Sequence, residues 1–146
     1  MNFARVAASA LAAWAVSIPV GYVVNEILLK DLYSAHAAVF RPEAAMMANM
    51  PLGMVSSLVG FFAFAYMYAK GYEGTRGTTE GVRFGVLVAI LLSGFALAWQ
   101  YVLFPISGTL AAAWIVDAVA EFALYGAIIG AIYRPAARQA YNVVPV

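Results

Sequence analysis

Four long apolar stretches, each about as long as the hydrocarbon core of a bilayer is thick, fix what this chain can fold into. They run from Val6 to Leu29, Met50 to Ala69, Phe84 to Phe104 and Thr109 to Tyr133. At about 1.5 Å per residue, roughly 20 residues of helix cross about 30 Å of hydrocarbon. Lipid takes the apolar side chains, and a helix satisfies its own backbone polar groups. The sequence therefore predicts an all-α fold, an integral membrane four-transmembrane-helix bundle forming one domain over residues 1–146. Composition agrees. The chain is 65% hydrophobic and 10% charged, against about 45–50% and about 25% for soluble domains.

The same composition narrows the chemistry. A formal net charge of +1 supplies no basic field, so nucleic acid is not an expected partner. Cysteine is absent, which removes disulfides, thiolate metal sites and cysteine nucleophiles. His36 is the single histidine; it matches no zinc-ligand spacing and is read as a surface residue. No cofactor, metal site or catalytic set is expected, and an enzyme is the least supported class.

Along the chain, the first run is too long for a signal-peptide core of about 7–15 residues and reads as a retained helix. Pro19 is expected to bend it without ending it. The link from Lys30 to Asn49 is the longest polar connection. Pro42-Glu43 looks like the start of a short surface helix over Ala44–Met47, with proline in the first turn and an acid at the positive dipole end. Pro51 is expected to open or kink the second span, with Asn49 a possible cap. Lys70 to Val82, rich in glycine and threonine, reads as a flexible loop without a phosphate-cradling motif, and Thr79-Glu80 as a cap for the third span. Pro105 to Gly108 is a tight turn that makes spans three and four an antiparallel hairpin. The tail from Ala136 to Val146 reads as flexible.

Basic residues set the expected threading. Arg5, Lys70, Arg76, Arg83, Arg134 and Arg138 fall on one side, Lys30 and Arg41 on the other. The positive-inside rule then places the N- and C-termini in the cytoplasm of a plasma or bacterial inner membrane.

Two residues inside the fourth stretch carry the functional question. Asp117 and Glu121 are the only ionisable residues deep within any of the four runs. Four residues apart, they share a helix face about one turn apart. Counted from Gly108 they lie about 13 and 19 Å deep. A charged Asp at mid-membrane costs about 2.5–3.5 kcal/mol, and two close carboxylates with no Lys or Arg in the spans are expected to hold at least one proton. Candidate hydrogen-bond partners are Ser93 and Gln100 on the third span, Tyr22 and Ser17 on the first, and Ser56 and Ser57 on the second. Asp117, Glu121, Gln100, Tyr22 and Ser93 together would make a proton or cation pathway. The acids also fit two other roles: packing glue hydrogen-bonded across helices, or anchors for a cation on a partner subunit.

Gly126 and Gly130 form a GxxxG, nine residues past Asp117 and Glu121 respectively, and so about half a turn away. Trp114, Asp117, Glu121 and Tyr125 make one stripe and the glycines the opposite one. A helix with two specialised faces has two neighbours; helix packing within the chain is the expected use of the glycines. Asn25 and Glu26 lie at the outer end of the first span, where Glu26 is expected to reach the interface beside Lys30. Trp99, Tyr101, Tyr66, Tyr68 and Tyr133 suit aromatic belts. Taken alone, the sequence favours a non-catalytic accessory or assembly subunit, in contact with other membrane subunits or with copies of itself. The alternative is a small proton- or cation-coupled transporter built on Asp117 and Glu121.

Overall fold

The structure, a computed structural model, describes residues 1–74 and 76–133; the expected flexible tail and the basic residues Arg134 and Arg138 lie outside them. The described residues are helical with short connections and contain no strand. Four helical stretches are long and apolar enough to cross a membrane: Phe3–Leu28, Glu43–Gly71, Gly77–Leu103 and Gly108–Ile132.

Helix α1, Phe3–Tyr22, starts where the Asn2 side chain accepts a hydrogen bond from the Arg5 N–H. It passes through Pro19, whose missing N–H and ring cost one turn its regular bond. The Val23 N–H contacts both the Pro19 and Val20 carbonyls, and the chain widens into a π-helical stretch over Val23–Leu28. Val6, Ser9, Ala10 and Ala13 form its buried stripe, small side chains that let a neighbour come close. A short helix α2, Lys30–Ala35, and a 3-10 turn, Ala37–Val39, complete the first link.

Helix α3 runs unbroken from Glu43 to Gly71. The helix start at Pro42-Glu43 is as expected, but the separate surface helix is not; its residues are the first turns of the span. Pro51 sits inside α3, where it removes one N–H and leaves the chain helical. Asn49 caps nothing, since its side-chain amide donates to the Ala45 carbonyl of the preceding turn at 2.7 Å.

The third span comprises α4, Gly77–Leu92, a π-helical stretch over Ser93–Leu97, and α5, Ala98–Leu103. It begins earlier than the loop reading of Lys70–Val82 allows. Arg76, without a side-chain cap, precedes it, and Glu80 reaches back to accept from the Glu73 N–H at 2.6 Å. The reason for the early start is packing. Helix α6, Gly108–Ile132, lies antiparallel to α4, and Gly77, Gly81 and Gly85 face Gly130, Gly126 and Phe122. A Cβ at Gly81 would run into the Gly126 carbonyl, and one at Gly126 into the Gly81 carbonyl. Ala89 continues the stripe, fully buried. Gly77 and Gly81 of the supposed loop, with Gly85, are the groove that α6 fills.

Helix α1 packs on both α6 and α3. Val6, Ala10 and Ala13 of α1, Phe64, Ala65 and Tyr68 of α3, and Tyr125, Ile129 and Tyr133 form one core at the end holding residues 1 and 133. Phe64 stacks on Phe84 with centroids 5.1 Å apart, and the Tyr68 hydroxyl donates to the Gly77 carbonyl at 2.9 Å, tying α3 to the start of α4. Away from that end α3 and α4 leave an apolar groove of about 320 Å³, floored by Phe122. At the other end a second cluster forms. Ile106, Leu110 and Ala111 are covered there by Leu32, Tyr33, Val39, Phe40 and Trp114, so the first link lies across the start of α6.

Candidate functional site

The acid stripe of α6 is bracketed at both ends by side chains packed within this chain. One turn before Asp117, the Trp114 indole N–H donates to the Tyr33 hydroxyl at 2.9 Å. That hydroxyl donates to the Asn25 side-chain Oδ1 at 2.9 Å, and the Asn25 Nδ2 donates to the Gly21 backbone carbonyl at 2.8 Å. Phe40 sets its ring edge-on to both Tyr33 and Trp114, at 5.3 and 6.4 Å. One turn after Glu121, Tyr125 is buried with its ring edge-on to Phe61 of α3 at 5.0 Å, and its hydroxyl turns back to the Glu121 carboxyl. Asp117 and Glu121 are themselves half-buried between these two tyrosines.

Tyr33 is the piece of this arrangement outside the spans. Burial pushes its phenol above the ordinary value of 10.0, and the nearby Asp117 and Glu121 carboxylates push the same way; the Trp114 hydrogen bond opposes them. The phenol therefore stays protonated through the neutral range, with its hydrogen directed to Asn25. It is close enough to both carboxylates to feel their charge.

The structure disperses most of the other candidate partners. Tyr22 is 64% exposed and makes no side-chain hydrogen bond among the described residues. Gln100 lies in α5, about level with the start of α6 by the glycine register, and makes no side-chain hydrogen bond among the described residues. Ser93 opens the π-helical stretch, and its hydroxyl is buried without a hydrogen-bond partner among the described residues. Ser17 donates to its own helix at the Trp14 carbonyl, 2.7 Å away. Ser57 accepts from the Trp14 indole at 3.0 Å, a link between α1 and α3, and Ser56 is exposed. Tyr33 was not among the sequence candidates, because the link it sits in has no periodic pattern to place it. Gly77, Gly81 and Gly85 carried a legible signal, a four-residue repeat matching Gly126 and Gly130.

His36 is not a free surface residue. Its Nε2 accepts from the Ser107 backbone N–H at 3.0 Å, which leaves Nδ1 to carry the hydrogen and donate to the Leu32 carbonyl at 2.8 Å. The neutral ring thereby fastens the first link to the residue that caps α6. Among the described residues no group of three or more His, Asp or Glu stands close enough to hold a metal ion. Comparison with protein-family models, curated proteins and solved structures finds no match.

Proposed function

We propose that this chain is a small proton- or cation-coupled transport protein of a cell membrane, with Asp117 and Glu121 as the site that takes up the proton or cation. The observation that carries this reading is the packing around the half-buried acid pair, with Trp114 held by Tyr33 and Phe40 at one end and Tyr125 held by Phe61 at the other. Ionisable residues within spans face a bundle interior or a water-filled path and mark proton and ion routes. An acid pair meant for a partner's cation would stand on an outer face, with its flanking turns free. Here the flanking turns are engaged. A proton or cation arriving from the side of the first link would pass Tyr33 and Asn25 first, then Asp117, then Glu121 and Tyr125. The threading inferred from the basic residues, with residues 1 and 133 on the cytoplasmic side, makes the first link the external face.

The test is flux. In proteoliposomes carrying a pH-sensitive dye, Asp117→Asn combined with Glu121→Gln should abolish proton flux while insertion and melting stay normal. A folded double variant with undiminished flux, or wild-type protein without flux of protons or monovalent cations, would end the reading.

A second reading, the accessory or assembly subunit, is favoured by the last turns of the third span. Phe95, Trp99, Tyr101, Val102 and Leu103 are all more than half exposed there. Another membrane protein would fit that surface, and native mass spectrometry after mild solubilisation would find it as a defined complex.

A further inference from the structure

The first link borders an open cavity, lined in part by Asn25 and Tyr33, whose exposed charged side chains neither the acid pair nor the helix packing explains. It has a volume of about 670 Å³ and opens between the end of the first span and the start of α3. Four charged side chains line it: Glu26, Lys30, Arg41 and Glu43. The charges balance, two of each sign, yet among the described residues none of the four is engaged in an ion pair or hydrogen bond through its side chain. Opposite charges sharing one cavity without pairing are a pattern for a ligand that carries both signs itself. A simple anion would meet the two glutamates, and a simple cation would meet Lys30 and Arg41.

The position narrows the ligand further. Glu26 lies two residues before the end of the first spanning stretch, and Glu43 is the first residue of the second. The cavity therefore sits at the level where lipid head groups meet water. Phe40 and Met46 add an apolar wall. Helix α3 begins at this wall with Glu43 in its first turn, so the positive end of that helix is already matched by an acid of the chain, and the anion-facing side is left to Lys30 and Arg41.

We propose that this cavity binds a zwitterionic phosphoethanolamine-type group, its phosphate toward Lys30 and Arg41 and its ammonium toward Glu26 and Glu43. Arg suits a phosphate because its planar fork donates two parallel hydrogen bonds. The group has two sources, the head of a phosphatidylethanolamine lipid or a free soluble phosphoethanolamine. The inference is independent of the acid pair; a chain in which Asp117 and Glu121 only pack would still carry it.

The experiment reconstitutes the full chain in nanodiscs holding equal phosphatidylethanolamine and phosphatidylglycerol, and reads the retained lipids by native mass spectrometry. Wild-type protein should retain phosphatidylethanolamine preferentially, and Lys30→Gln with Arg41→Gln should cut that retention roughly tenfold through loss of the charge-assisted bonds. Glu26→Gln should erase the preference over phosphatidylglycerol. A second arm adds free O-phosphoethanolamine. Displacement of the retained lipid, or direct binding, assigns the soluble group as a sufficient ligand; retention that the free group does not disturb assigns the lipid. Equal retention of the two lipids without binding of phosphoethanolamine overturns the proposal, as does preference for phosphatidylglycerol. The wild-type preference needs no variant to fold, so the test stands even if the lysine and arginine changes destabilise the link.

Discussion

Single residues decide more here than their number suggests, and Tyr33 is the first of them. Its phenol is the acceptor for Trp114 and the donor to Asn25, so the neutral form is the one the fold uses. A pKa raised in the folded state means this stabilisation is complete below the unfolded value, about 10, and is lost as pH rises past it. Tyr33→Phe should lower stability at neutral pH by about 1 kcal/mol for the broken hydrogen bonds, and should also soften the decline above pH 10. Comparing melting curves of the two proteins from pH 7 to pH 11 in detergent checks both effects; an identical alkaline decline would remove Tyr33 as its source. Ser93 presents the opposite case. Its buried hydroxyl has no hydrogen-bond partner among the described residues, and a polar group left unsatisfied costs about 1–3 kcal/mol. Ser93→Ala should therefore be neutral or stabilise by about 1 kcal/mol, where most buried substitutions destabilise. A clear loss of melting temperature would show that the hydroxyl has a partner, such as a bound water. The acids themselves were legible in the sequence, since an ionisable residue inside a long apolar run stands out unaided. Their tyrosine neighbour in the link was not, because what brings Tyr33 to Trp114 is the tertiary placement of α2, which leaves no periodic mark.

At the level of elements, spacing was informative but composition misled. The glycine-rich stretch after Lys70 has a loop's composition, yet from Gly77 on its glycines, with Gly85, recur every fourth residue, and that period belongs to a helix face. Only the matching stripe on α6 turns Gly77, Gly81 and Gly85 from backbone breakers into a packing surface, because helices in lipid associate by close backbone contact. Pro51 does not open the second span. It marks the end of a helix in water, but within a long apolar run the remaining backbone bonds hold α3 together across it. The glycine stripe yields a sharp contrast. Gly126→Ala would drive a methyl into the Gly81 carbonyl and should destabilise by about 1–3 kcal/mol. Gly53→Ala in α3 meets open space and should stabilise slightly, by up to about 1 kcal/mol, through lower unfolded-chain entropy. Thermal unfolding of the two variants in the same detergent settles it; equal effects would mean that α4 and α6 do not approach as closely as the glycines allow.

For the molecule as a whole, the four spans were legible from length and hydropathy alone, and their pairing was not. The hairpin of spans three and four followed from a short turn, whereas the placement of α1 between α3 and α6 depends on which small-residue stripes meet. The number of spans puts residues 1 and 133 at one end, and the core that joins Val6, Tyr68 and Tyr133 agrees with that. Which side of the membrane that end faces rests on the basic residues. The difference matters, because it decides whether the proposed Tyr33–Asn25 entrance and the charged cavity those residues line open to the outside or to the cytoplasm. A chain without cysteine is a clean background for asking. Asp31→Cys, exposed in the link between spans one and two, should react in intact cells with a membrane-impermeant maleimide. Glu73→Cys, exposed between spans two and three, should react only after permeabilisation. Lys70, Arg76 and Arg83 cluster around the second site and resist translocation, so the prediction follows from charge and is separable from the packing. If the labelling were reversed, the fold would stand and the acid pair would be reached from the cytoplasm, changing the direction of any coupled flux. Labelling of both sites in intact cells would instead argue against a single threading. Only the outcome with Asp31→Cys outside and Glu73→Cys inside joins the positive-inside rule, the four-span count and the external entrance into one account.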